Sequence, residues 1–142
     1  MLKLDYDITK STFKYVESLW FNYRDMIKKM NDIEKDVINI QDENQDIKGQ
    51  GKTSDPTAQE VFKKERLKEN KQYVTLESNV QAIEYVLNSL PDNYKKVAHS
   101  RYMSTPSKSW VKIALETEFS ERHARRVRDA IVIATAEKLG LW

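Results

Sequence analysis

Residues 109–139 read SWVKIALETEFSERHARRVRDAIVIATAEKL, and two helices with a short turn between them are written into that order. Pro106 ends any helix arriving from 92–103, and Ser107 or Ser109 caps a short helix over 109–116. Ile113-Ala114 sets a branched residue beside a small one, which suits close crossing by a second helix. Thr117-Glu118-Phe119 reads as the turn, Phe119 as the apolar residue after it, and Ser120 as the next cap. Ala124 and Val127 lie three apart and continue through Ile131 and Ala134 as the inward stripe of a helix ending near Leu139. Gly140 then occupies the left-handed C′ position. The register is that of a helix-turn-helix. Many such turns carry Gly where Glu118 stands. A glutamate is tolerable there if the turn avoids positive φ, and it leaves the crossing angle open.

With Ala124 and Val127 inward, Glu121, Arg122, Arg125, Arg126 and Arg128 point outward or to the flanks. The start of the second helix then presents guanidinium groups where a recognition helix meets base edges in the major groove. Arg forks fit guanine O6 and N7, and Glu121 can accept from cytosine N4. Glu121, Arg122, Arg125 and Arg126 are therefore the candidate base contacts. Ser120 leaves backbone N–H groups near the helix start for a phosphate. Arg101, Ser107, Lys108, Ser109, Lys112, His123 and Arg128 complete the candidate phosphate contacts. Each has a plainer role beside it. Glu121 complements the helix dipole, Arg128 pairs with Glu121 or Asp129, His123 is a solvent or phosphate neighbour rather than a ligand, and Trp110 belongs to the core.

Charge distribution points to the same end of the chain. The formal net charge is +2. Residues 1–90 carry 14 basic and 16 acidic side chains, whereas residues 91–142 carry 10 and 6. Of seven Arg, four fall between 122 and 128. Evenly spread Lys reads as helix solvation, whereas clustered Arg more often marks phosphate or base recognition, and a solvated helix face is its plainer alternative.

Upstream, residues 9–43 read as one long amphipathic helix capped by Thr9 or Ser11. Its seam, Phe13, Val16, Trp20, Tyr23, Ile27 and Met30, alternates spacings of three and four and drifts through Ile33, Val37 and Ile40. Residues 46–57 form a polar, Gly-bearing linker ending in Pro56. Its Gly51-Lys52-Thr53 is not a P-loop, because Asp46 stands where the first Gly is needed and no buried strand precedes it. Asp55-Pro56 starts a second long helix, 55–90, with the seam Tyr73, Leu76, Val80, Ile83, Leu87 and Leu90. Residues 1–45, 46–57, 55–90 and 91–142 are thus the expected divisions. Neither long helix buries its stripe alone, so self-association, with a dimer favoured, is expected through Phe13, Trp20, Tyr23, Ile27, Leu76, Val80, Ile83 and Leu87.

Composition excludes other classes. Three Gly and three Pro in 142 residues disfavour a turn-rich β-sandwich. The absence of Cys removes disulfides, thiolate chemistry and zinc fingers. Two His without matched carboxylates make no metal site, and no cofactor motif stands out. No apolar run approaches the roughly 20 residues that span a bilayer, and the start MLKLDYDITK has no signal-peptide core. The expectation is an all-α, cytoplasmic, non-enzymatic protein, since its carboxylates lie on solvated faces without a nucleophile to converge upon.

Residues 90–139 resemble region four of the sigma factors. The likeness rests on Leu90-Pro91, Val97, Arg101-Tyr102, Ser109-Trp110-Val111-Lys112-Ile113-Ala114, Ser120 and Val127. More closely, residues 50–142 resemble the RinA/ArpU-like phage late transcriptional regulators. Ser54-Asp55-Pro56-Thr57-Ala58, Gln81-Ala82-Ile83-Glu84-Tyr85-Val86-Leu87 and Ala136-Glu137-Lys138-Leu139-Gly140 carry that likeness. The resemblance implies activation of a phage packaging and morphogenesis operon in the host cytoplasm. It also implies duplex DNA as partner, contact with host RNA polymerase, and base contacts from Glu121, Arg122, Arg125 and Arg126. A small terminase subunit and a coiled-coil adaptor are the alternatives. The first usually carries its DNA-binding part at the amino end, and the second would not bind duplex DNA.

Overall fold

The computed structural model describes residues 8–48 and 56–141, with side chains described at 8–38 and 58–141. Among these residues the chain is all-helical, and no strand occurs. The helices are α1 (Lys10–Phe21), α2 (Tyr23–Lys48), α3 (Pro56–Glu69), α4 (Lys71–Ser89), α5 (Asp92–Ala98), α6 (Trp110–Thr117) and α7 (Glu121–Leu139). A π-helical turn, His99–Met103, continues α5.

Both expected long helices are interrupted. Asn22 parts α1 from α2 with φ −95° and ψ 8°, while its N–H still donates to Ser18 O at 3.0 Å. Asn70 parts α3 from α4. Its N–H closes α3 on Leu67 O at 3.1 Å, and its Oδ1 accepts from Tyr73 N at 2.9 Å. A short amide side chain competes with the helix for backbone hydrogen bonds, so Asn serves ends better than interiors. α2 runs to Lys48, beyond the expected start of the linker at 46. Gly51-Lys52-Thr53 and the Asp55 cap lie outside the described residues.

The chain divides into two compact units whose limits differ from those drawn on sequence. One comprises the chain through Arg24 together with Asn79 onward, and the other is Asp25–Ser78. In the second unit Val37, Leu67 and Tyr73 form a small core with Met30 and Ile33 packed on it. Tyr73 Oη donates to Glu34 Oε1 at 3.0 Å, so the buried ring keeps its hydroxyl partnered.

α7 is the axis of the first unit and packs against α1, α5 and α6. From Ala130 to Ala136 it is buried nearly all round: Ile131, Val132, Thr135 and Ala136 are fully inaccessible. α1 supplies Val16 and Trp20, also fully inaccessible. The Trp20 indole N–H donates to Thr135 Oγ1 at 3.0 Å, and the Thr135 hydroxyl donates in turn to Ile131 O at 2.8 Å. The buried polar atoms are thereby satisfied without water. α4 contributes Val80, Ile83 and Val86 to the buried set. On α4, Tyr23 Oη of α2 donates to Glu84 Oε2 at 2.9 Å.

Part of the seams assigned to self-association is therefore used within the chain. Trp20, Val80 and Ile83 are covered by the chain itself. Phe13, Tyr23, Ile27, Leu76 and Leu87 are half-buried. The reason is α7, which gives the α1 stripe a partner 115 residues away that no local pattern announces.

Candidate functional site

α6 and α7 meet through Glu118-Phe119-Ser120. Ser109 caps α6 by accepting from Lys112 N at 3.2 Å, and Ser120 caps α7 by accepting from His123 N at 3.0 Å. Glu118 adopts φ 63° and ψ 11°, so the turn does use positive φ at the position where Gly is common. Thr117 supports it from within: its hydroxyl donates to Ile113 O at 2.7 Å. Phe119 packs edge-on to Tyr94 and to His123, with centroids 6.0 and 4.6 Å away. Ile113 and Ala124 are fully inaccessible and Val127 nearly so, as their spacing predicts.

That inward stripe fixes the outward one. Glu121, Arg122, Arg125 and Arg126 are all exposed on the first two turns of α7. Among the described residues none of them makes a hydrogen bond or ion pair. Arg126 stands at the rim of an open cleft with Thr9, Lys10 and Phe13 of the α1 end. The same helix is thus a solvent-facing cationic surface at its start and core at its finish.

The candidate phosphate contacts divide. Ser109, Ser120, Lys112 and His123 are exposed around the starts of α6 and α7. Ser107 is exposed and donates to Arg101 O at 2.6 Å. Lys108 is committed to Glu116, at 2.9 Å, and its hydrogen bond with its charge holds the Glu116 carboxyl below the usual range. Arg101 donates to Lys108 O at 3.2 Å, and its Nε is buried without a partner.

Arg128 departs furthest from expectation. Of its two weighed partners, Glu121 and Asp129, it takes Asp129, and it adds one that was not foreseen: Nη1 donates to Glu17 Oε2 at 3.1 Å. The same Glu17 oxygen accepts from Tyr102 Oη at 2.6 Å. Burial, then the Glu17 hydrogen bond and charge, push the Tyr102 phenol far above its ordinary value. Burial works against the Arg128 charge, but Asp129, Tyr102 and Glu17 hold it above its usual value. Arg128 is a structural cation. Glu17 carried no sequence signal, because it sits 111 residues from its partner on a helix otherwise read as a coiled-coil strand.

Trp110 is not core either. It is half-buried, and Arg101, Arg125 and Arg128 all stack near its ring. Sequence reasoning also passed over Val111 and Leu115, 56% and 78% exposed on the outer face of α6, since scattered surface apolar residues carry no pattern.

Among the described residues no three His, Asp or Glu side chains gather as a metal site. No helix there is long and apolar enough to cross a membrane. A family model described as a protein of unknown function, DUF722, matches residues 19–137. The chain belongs to this family. No curated protein and no solved structure matches it. The DUF722 match takes in the α6–α7 pair and the end of α1 with Trp20, whereas Glu17 precedes it.

Proposed function

We propose that this DUF722 protein is a sequence-specific double-stranded DNA-binding transcriptional regulator, with α7 as its recognition helix. One observation carries the reading: four side chains capable of base contact stand exposed and unpaired on the first two turns of a helix anchored through Ala124 and Val127. A recognition helix inserts those same turns into the major groove, while the helix before it braces the backbone. The exposed caps Ser109 and Ser120, with Lys112 and His123, suit phosphates on either side. In this reading Arg101, Lys108 and Arg128 support the site through their contacts within the chain. The sigma-region-four-like arrangement and the RinA/ArpU-like role, activation of a phage late operon with contact to host RNA polymerase, belong to the same proposal.

Footprinting and binding on the protein's own late-promoter region test it. Arg125→Ala or Arg126→Ala should weaken specific binding more than Lys71→Ala, and affinity should fall steeply with salt as counterions are released. Equal losses for the three variants, or a flat salt response, would overturn the assignment of α7. Absence of duplex binding at low salt would favour a protein–protein adaptor.

A further inference from the structure

Trp110 opens α6, and three guanidinium groups surround its indole. The Arg101, Arg128 and Arg125 Cζ atoms lie 4.7, 5.1 and 5.9 Å from the ring centroid. Two of the three are fixed from elsewhere, Arg101 by Lys108 O and Arg128 by Glu17 and Asp129. Arg125 is exposed and, among the described residues, has no polar partner. The ring is what restrains it. Three cations on one ring stand beside the two carboxylates that pair with Arg128, which leaves an excess of positive charge there. An acceptor approaching Arg125 from solvent relieves the excess.

We propose that Trp110 is a positioning residue that orients the Arg125 guanidinium for a base edge before DNA arrives. This rests on α7 being the recognition helix. Arg has a planar, weakly hydrated head that stacks on aromatic faces. Immobilising a long side chain on binding otherwise lowers affinity about two- to tenfold. Among the described residues no aromatic ring stacks on the Arg122 or Arg126 guanidinium, whereas Trp110 stacks on that of Arg125, so Arg125 contributes the most discrimination of the three. Trp110 itself contacts no base.

The test uses the full chain and a duplex pool of random sequence. Wild-type protein selects its preferred duplex, and affinity for that duplex is compared with affinity for a scrambled one. Trp110→Leu is expected to lower the specific-to-scrambled ratio about two- to tenfold while leaving the salt slope on the scrambled duplex unchanged. In an Arg125→Ala background the same substitution should change the ratio no further. A Trp110 that merely stabilises the fold would give equal losses in both backgrounds, and that result, or an unchanged ratio, overturns the proposal. If Trp110→Leu does not fold, Trp110→Phe keeps a smaller ring and should give a smaller loss, again absent with Arg125→Ala. A wild-type chain that enriches no sequence removes the DNA reading itself. One that enriches a sequence but shows no coupling removes only the role of Trp110.

Discussion

Glu118 holds a left-handed backbone conformation that costs an L side chain about 1–2 kcal/mol, part of which glycine would return as chain entropy in the unfolded state. Glu118→Gly should therefore raise stability by about 0.5–1 kcal/mol in urea unfolding, and a decrease would show that the side chain contributes something else. The sequence made the turn's position legible but not its φ. That value follows from α6 ending on a left-handed residue to reach the Ser120 cap within three residues. Glu17 was illegible for another reason. A carboxylate on an amphipathic helix is ordinary until tertiary packing brings Arg128 and Tyr102 to it. Glu17→Gln keeps the shape and removes the charge both donors use, so a loss of about 1–3 kcal/mol is expected in thermal or urea unfolding. A neutral substitution would mean that Asp129 alone satisfies Arg128.

Helix existence was readable almost throughout, because apolar spacing, Pro106, Ser109, Ser120 and Gly140 all speak locally. Helix breaks at Asn22 and Asn70 were not, since the first apolar seam runs through Asn22 without a change of phase and the second begins only at Tyr73, past Asn70. Nor did periodicity reveal what each seam packs against. α1 carries the seam of a coiled coil yet closes on α7, and the exchange is visible only in the Trp20–Thr135 hydrogen bond. Trp20→Ala should cost about 3–5 kcal/mol through lost burial and the cavity left behind. Thr135→Val nearly preserves volume but leaves the indole N–H without its acceptor, and should cost about 1–3 kcal/mol. Similar losses from the surface substitution Lys71→Ala would refute this account of the α1–α7 contact. For the candidate site the sequence did better: the outward set Glu121, Arg122, Arg125 and Arg126 followed from the inward pair alone.

For the molecule as a whole, each unit contains a tyrosine whose hydroxyl donates to a glutamate. Burial first, and then the glutamate's hydrogen bond and charge, push Tyr23 and Tyr73 up to about 12. The folded chain holds these phenol protons more tightly than the unfolded chain, whose tyrosines titrate near 10. Their contribution is therefore complete below pH 10 and is lost as pH rises towards 12. Urea midpoints taken across that range should fall with pH, and fall less steeply for Tyr23→Phe and Tyr73→Phe. A slope unchanged in both variants would assign the alkaline loss to other groups. The division of charge between residues 1–90 and 91–142 was plain from composition. The division of structure was not, because it places the first helix with the last.

That placement has a consequence for the order in which the chain is made. α1 emerges from the ribosome well before α7, whose partner residue is synthesised more than a hundred residues later. The second unit is complete in sequence long before the first can close. Trp20 and Val16 must wait, unpaired, until α7 arrives. Closure of so long a loop is a small entropic term at equilibrium, since the cost grows only with the logarithm of length. It weighs on the rate instead, and on what the waiting apolar stripe meets in the interval.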